Sequence, residues 1–210
     1  MIDLHASVRQ PVSAAARREA GYVTTAFPYV PGWVLRGALA ASWIREHGEP
    51  SRSSPHRAEF IDLFEGSIRF GALVAVGTAF EPLSVVRCKY PRSIECQQFE
   101  VDLVAVTANR CAHCGGSLEA LKGALRNSVL REHARVALDQ SGRALDGQLF
   151  TREEIPVGSE LQGCIAGEHP WLAGLQSAAT WFGGRRSTAG RADITATVGT
   201  EPQAGPTDQP

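Results

Sequence analysis

Tyr29-Val30-Pro31-Gly32-Trp33-Val34-Leu35-Arg36-Gly37-Ala38-Leu39-Ala40 is a chain break followed at once by a helical pattern. Pro31 and Gly32 stop an extended run, and Leu35, Leu39, Ser42 and Trp43 then fall on one face, which predicts a helix over Trp33 to His47. Upstream, Ile2, Leu4, Ala6 and Val8 alternate within Met1 to Ser13 and predict a first strand. Ala14 to Phe27 is small, polar and basic, and reads as a mobile loop. Downstream lie a Ser- and Pro-rich linker from Glu49 to Pro55 and a short apolar element from Ile61 to Phe64. A second strand follows over Gly66 to Val76, where Ile68, Phe70 and Ala72 alternate.

The second half repeats the theme. Arg135 to Asp139 predicts a strand, Gln140 to Gly147 supplies turn residues, and Gln148 to Glu154 and Glu160 to Ala166 are extended around Pro156-Val157-Gly158. Pro170 to Trp181 reads as a second helix, with Leu172, Leu175 and Ala179 inward. Ala192, Ile194, Ala196 and Val198 then alternate with polar residues in a last strand. The order strand, helix, strand, strand, helix, strand predicts an α+β fold, a ferredoxin-like (RRM-like) βαββαβ sandwich. One domain is expected over residues 1–199, with a cysteine-rich insertion at 88–123 and a Pro-rich, disordered tail at 200–210.

A net charge of -1 gives no global basic field, so any affinity for a polyanion has to come from local clusters. No apolar run approaches the ~20 residues that span a bilayer, and Met1-Ile2-Asp3-Leu4-His5 lacks the features of a signal peptide. A cytoplasmic location without membrane partners is expected. Five cysteines in a reducing compartment point to metal binding or packing ahead of disulfides.

Two corners favour an anion. Trp181-Phe182-Gly183-Gly184-Arg185-Arg186-Ser187-Thr188-Ala189-Gly190-Arg191 combines glycines, which let a ligand approach the backbone, with guanidiniums that fork onto phosphate oxygens. The helix that follows Pro31-Gly32 has unpaired N–H groups in its first turn, and Arg36 sits close by. A cation there opposes the helix dipole, which makes sense beside an external anion; pairing with an acidic neighbour or plain solvation accounts for Arg36 equally well. Tyr29 and Trp33 offer stacking surfaces for bases, although each serves as well in packing.

Cys88-x7-Cys96-x14-Cys111-x2-Cys114 places four thiols within 27 residues, the last two as a tight knuckle followed by Gly115-Gly116. Four soft ligands suit a closed, structural zinc site that would fold an otherwise coreless insertion. His113 is an alternative to one thiol, foremost Cys88. Cys164, alone in a strand, reads as a small apolar residue.

Val30-Pro31-Gly32-Trp33-Val34-Leu35-Arg36-Gly37-Ala38 resembles the Ile-Pro-Gly-Ser-small-Leu-Arg-Gly-Ala pattern that opens the first helix of the RAMP superfamily, the ferredoxin-like subunits of CRISPR effector complexes. Phe182 to Gly190 is similar to that family's glycine loop. The run from Arg135 to Gly158, with Asp139, Arg143, Gly147, Glu153 and Pro156 in place, is similar to the central hairpin of type III members. Trp33 departs from the usual small residue. Within the superfamily the chain is most similar to a III-D-like member that caps the 5′ end of the guide, a protein that often carries a second ferredoxin-like domain; a repeated backbone subunit is the other position in such a complex.

The resemblance implies antiviral defense by a ribonucleoprotein in which both corners hold guide RNA (crRNA) through backbone and phosphate contacts, beside other effector subunits and the target RNA. RNA-binding residues are then expected at Tyr29, Gly32, Trp33, Arg36, Gly183, Gly184, Arg185, Arg186, Ser187, Gly190 and Arg191, with Arg87, Lys89 and Arg92 extending the track. Zn2+ at Cys88, Cys96, Cys111 and Cys114 agrees with the zinc-stabilised insertions of type III relatives. Members that cut target RNA place an aspartate before the first helix, whereas Ala14 to Tyr29 contains Glu19 and no aspartate. A non-catalytic role is therefore expected, with an endoribonuclease using His47 or His5, or a zinc-containing interaction module, as the alternatives. No Walker or dinucleotide signature occurs.

Overall fold

The computed structural model describes residues 1–19, 23–78, 80, 84–120, 130–183 and 189–199, and is a mixed α+β protein. The chain separates into two compact units, Met1–Val76 with Val129–Pro210, and Gly77–Ser128. No helix among the described residues is long and apolar enough to cross a membrane.

The first unit is organised on β1 (Ile2–Val8). It pairs antiparallel with β13 (Arg191–Val198) on one side and β11 (Glu160–Ala166) on the other, so that Leu4 faces Ala196 and Gly163. β11 continues antiparallel to β4 (Arg69–Phe70) and β5 (Val74–Ala75), and β12 (Ala178–Trp181) covers the outer edge of β13. The resulting order is β12-β13-β1-β11-β4. Alternation decides which face is buried: Ile2, Leu4, Ala6 and Val8 point inward with Ala192, Ile194 and Ala196, while Asp3 and His5 stay out.

The inward face is covered by α1 (Gly32–His47) and α2 (Arg57–Glu65). Leu35, Ala38, Leu39, Ser42 and Trp43 are the buried residues of α1, on the face that the spacing predicts, and Leu63 and Phe64 are those of α2. α1 begins at an extended Pro31 without a side-chain cap. It ends at Gly48, whose N–H returns to Ile44 O, with Arg45 and His47 in the last turn where the dipole favours cations.

Several expectations are corrected. Pro170 to Trp181 is not one helix: α4 (Pro170–Ala173) stops at Gly174, the chain turns at Ser177 with φ 49°, and β12 follows. Pairing of Ala178 with Ile194 and Trp181 with Arg191 wins over the helical spacing, because a short apolar run has no fixed period of its own. Ala14 to Phe27 is not a loop either. β2 (Ala15–Glu19) and β3 (Val23–Ala26) form an antiparallel pair, and β3 runs parallel to β10 (Ala144–Glu154), which pairs with β9 (Arg131–Leu138) in a second sheet, β2-β3-β10-β9. The short element at Ile61 to Phe64 belongs to the longer α2, and the Gly66 to Val76 strand is split into β4 and β5. The tail at 200–210 lies outside the described residues.

The second unit holds a three-stranded sheet, β7-β6-β8, from β6 (Val85–Cys88), β7 (Glu100–Asp102) and β8 (Leu118–Ala120), with α3 (Ile94–Gln98) between β6 and β7. Cys88, Cys96 and Cys111 are its buried cluster, with Phe99, Cys114 and Leu118 against them.

Candidate functional site

At the start of α1, Gly32 presses on the backbone of β4: a Cβ there would collide with the carbonyl oxygen of Phe70. Only glycine allows this approach, and it holds the first turn of α1 beside the end of α2. Between them opens a groove of about 480 Å³ lined by Trp33, Arg36, Glu65, Arg69 and Phe70 among others. Trp33 is 66% exposed. Its indole packs edge to face with Phe27 at 5.7 Å, and Phe27 also packs on Tyr29 at 5.2 Å.

The charges of the groove divide into committed and free. Arg69 donates to Gly66 O at 2.9 Å and Ile68 O at 3.3 Å, satisfying carbonyls at the end of α2. Arg36 and Glu65 are exposed and, among the described residues, their side chains make no ion pair or hydrogen bond, with each other or with anything else. The first turn of α1 carries no acidic residue, so its N–H groups are not offset from within.

The glycine loop is described only at its base. Gly184, Arg185, Arg186 and Ser187 lie outside the described residues. Gly190, at φ 91°, packs on the carbonyl of Phe182, donates its N–H to Pro11 O at 2.9 Å and accepts from Phe182 N at 2.8 Å. A side chain there meets both a forbidden φ and a backbone oxygen. Arg191 O accepts from the N–H groups of Arg9 at 2.8 Å and Gln10 at 3.0 Å, leaving its own side chain exposed, as is Gly183. Ser13 Oγ and Gln10 Oε1, in the segment that receives the Gly190 N–H, are buried without a hydrogen-bond partner among the described residues.

The described residues of the two corners lie at opposite ends of α1. α1 packs on β4 near its start and on β12 near its end, where the Arg45 guanidinium lies 4.6 Å from the ring of Trp181 and Arg45 Nη2 donates to Ala179 O at 3.3 Å. Arg45 is thirteen positions beyond Gly32, and at ~1.5 Å per residue this puts the groove and the strand leading into the loop about 20 Å apart along α1.

In the second unit, all four predicted cysteines converge, with every Sγ within 4.8 Å of every other. Cys88 and Cys114 are 3.6 Å apart and Cys96 and Cys111 3.9 Å. Those separations are too long for a disulfide, which needs about 2.05 Å. They suit the edges of a tetrahedron with zinc–sulfur bonds of about 2.3 Å. The knuckle is closed by Gly115 N to Cys111 O at 2.8 Å and Cys111 N to Gly116 O at 2.9 Å. Ser93 caps α3 by accepting from Cys96 N at 3.3 Å. A hydrogen bond from the Arg92 backbone and another from Ser93 bring the Cys96 thiol down to about 6, whereas burial, with Cys114 beside it, pushes Cys88 up to about 12. A divalent ion among them would hold all four as thiolates. His113 is not a fifth member of this group and packs on Phe99 at 5.6 Å.

Of the remaining candidates, His47, His5, Arg87 and Lys89 have structural partners. His47 stacks on the buried Trp43 at 4.4 Å, with Nδ1 3.0 Å from Trp43 O, and His5 lies 3.5 Å from Glu160. Arg87 faces Glu119 at 3.5 Å and the Lys89 ammonium lies over the Tyr90 ring. Glu65, Arg69 and Phe70 are site residues that the sequence reading did not assign, because only the seating of Gly32 on β4 brings them to Trp33.

No protein-family model and no curated protein matches this sequence. Among solved structures, a chain of the type III-B Cmr-beta complex bound to cognate target RNA, determined by cryo-EM, superposes with a TM-score of 0.55 at 10% identity. The match covers 93% of this chain and 96% of that one. A chain of the apo state of Cmr-beta gives 0.54 at 11% identity, again over 93% and 96%. At such identities the likeness is one of fold.

Proposed function

We propose that this chain is a guide (crRNA)-binding RAMP subunit of a type III CRISPR ribonucleoprotein and holds RNA without cutting it. The observation that carries the reading is the end-to-end match of its fold to a chain of an RNA-bound Cmr-beta complex, 96% of which it covers. The sheet supports a ferredoxin-like core: β13, β1, β11 and β4 are antiparallel neighbours in the order fourth, first, third, second of the βαββαβ scheme, with β12 added at one edge. In this reading residues 1–199 are one domain and 88–123 a zinc-bound insertion within it.

RNA then follows α1 from the groove of Trp33 and Arg36 to the loop that Gly190 anchors. Bases stack on Trp33 beside Arg36, phosphates meet the α1 N–H groups, and Arg185, Arg186 and Arg191 hold the backbone at the far end. The III-D-like position at the guide's 5′ end is the finer form of the proposal. Zinc, held by Cys88, Cys96, Cys111 and Cys114, supplies a cross-link and no open ligand position.

The test is purification with the subunits encoded beside it. RNA of uniform length should co-elute, and Arg36→Ala combined with Arg185→Ala and Arg186→Ala should strip it from an assembly that otherwise stays whole. Retention of the RNA by the triple variant would remove the proposed interface. Cutting of added RNA that disappears in His47→Ala would turn the assignment toward an endoribonuclease.

A further inference from the structure

The groove at the head of α1 holds an unusual combination. An indole is 66% exposed, and an arginine and a glutamate line the same groove without pairing. Opposite charges that share a groove ordinarily pair or lie solvated at little energetic consequence. Here Arg36 stands one turn beyond Trp33 on α1, Glu65 comes from the last turn of α2, and Arg69 is occupied by carbonyls at the end of α2. The groove therefore offers a flat apolar surface, one acceptor pair and one donor fork. Its volume of about 480 Å³ falls within the roughly 300–1,000 Å³ of small-ligand sites.

We propose that this groove is a base-specific site for a single unpaired guanine of the bound RNA. Guanine is the base whose edges match both charges. Its O6 and N7 accept from one guanidinium, and its N1–H and N2–H₂ donate together to one carboxylate. Adenine offers a carboxylate one donor beside an acceptor, uracil one donor between two carbonyls, and cytosine one amino group beside an acceptor. Stacking on Trp33 supplies affinity for any base, and Glu65 with Arg36 selects among them. This inference rests on the RNA-binding reading above.

The experiment measures fluorescence anisotropy of the full chain with eight-nucleotide oligouridine RNAs that carry a central G, A, inosine or 7-deazaguanine. The G oligomer should bind roughly 10- to 100-fold tighter than the A oligomer, with inosine, which lacks the 2-amino group, and 7-deazaguanine, which lacks N7, in between. Glu65→Gln should lower the G-to-A ratio several-fold, the remaining preference coming from Arg36, while Trp33→Ala should weaken all four. Glu65 is exposed, so thermal unfolding of Glu65→Gln should match that of the parent. Binding of all four RNAs within twofold overturns the guanine site and leaves the RNA reading standing. A G-to-A ratio unchanged by Glu65→Gln also overturns it. Failure to bind any RNA removes both.

Discussion

Gly32 rests on the carbonyl oxygen of Phe70, so the first turn of α1 and strand β4 touch backbone to backbone. The contact joins the segment after the β2–β3 hairpin to the edge of the main sheet, and the neighbouring bridge between Val30 and Leu73 lies next to it. The groove that holds Trp33, Arg36 and Glu65 exists because of this contact.

Gly32→Ala should therefore push α1 off β4 and destabilise the protein by about 1–3 kcal/mol, the usual cost of overpacking. Gly37→Ala, five positions on in the same helix, is the control. Nothing lies within 4 Å of a Cβ there, so it should stabilise the helix by up to ~1 kcal/mol. Urea unfolding of both variants measures the contrast, and similar effects of the same sign would show that the backbone contact does not hold the helix start.

Gly190→Ala tests the base of the glycine loop. At φ 91°, facing the Phe182 carbonyl, the new methyl has no unstrained place. A loss of about 1–3 kcal/mol is expected, together with faster hydrogen exchange at Gly190 N–H, which is bonded to Pro11 O. Gly183→Ala, also at a positive φ of 81° but with its Cβ 3.1 Å from Ser13 O, a looser contact than that of Gly190 with Phe182 O, should cost less.

What the sequence made legible follows from how locally each feature is determined. The buried face of α1 and the alternation of β1 and β13 are written in neighbouring residues, so Leu35, Leu39, Trp43, Ile194 and Ala196 could be assigned from spacing alone. β3 could not, because its partner β10 lies more than a hundred residues away and Val23-Thr24-Thr25-Ala26 carries no pattern of its own. Leu172, Leu175 and Ala179 satisfy a helical period by coincidence, and the choice went to pairing with β13. Trp33 and Arg36 stood out as residues, but Glu65 becomes their neighbour only through tertiary packing. The cysteines were readable because four soft ligands within a short span form a metal-site pattern along the chain itself, before any folding is considered.

Asp139 sets the turn of the β9–β10 hairpin. Its Oδ1 accepts from Ser141 Oγ at 2.7 Å, Ser141 N at 2.8 Å and Arg143 N at 2.9 Å, and the Ser141 hydroxyl, followed by the Arg143 N–H, holds its carboxyl below the usual carboxylate range. A group with its folded pKa lowered contributes stability that is present above its unfolded value, near 3.9, and is lost as the pH falls through the lower folded value. Asp139→Ala should accordingly loosen the hairpin at neutral pH, seen as faster amide exchange at Ser141 and Arg143. The difference from the parent should shrink as the pH drops below about 4. A difference independent of pH would assign the turn to Gly142 and the strand pairing instead.

The cysteine centre gives a sharper test, because the unit around it has little else to bury. Cys88, Cys96 and Cys111 form its buried cluster, with Phe99 and Leu118 only partly covered. A structural zinc contributes on the order of 10 kcal/mol to such a site, more than Phe99 and Leu118 would supply even if fully buried, at about 1.5–3 kcal/mol each. Metal analysis should find one zinc per chain, and Cys111→Ser or Cys96→Ser should lose it. Removal by a strong chelator should abolish amide protection in β6, β7 and β8, while β1 and β13, whose core of Ile2, Leu4, Ile194 and Ala196 contains no thiol, keep theirs. Cys164→Ser, in β11 and outside the cluster, should change neither metal content nor protection of β6. Full protection of β6 to β8 in metal-free protein would mean that the four sulfurs are a packed core in their own right, and the 3.6 and 3.9 Å separations would then reflect thiol contacts alone.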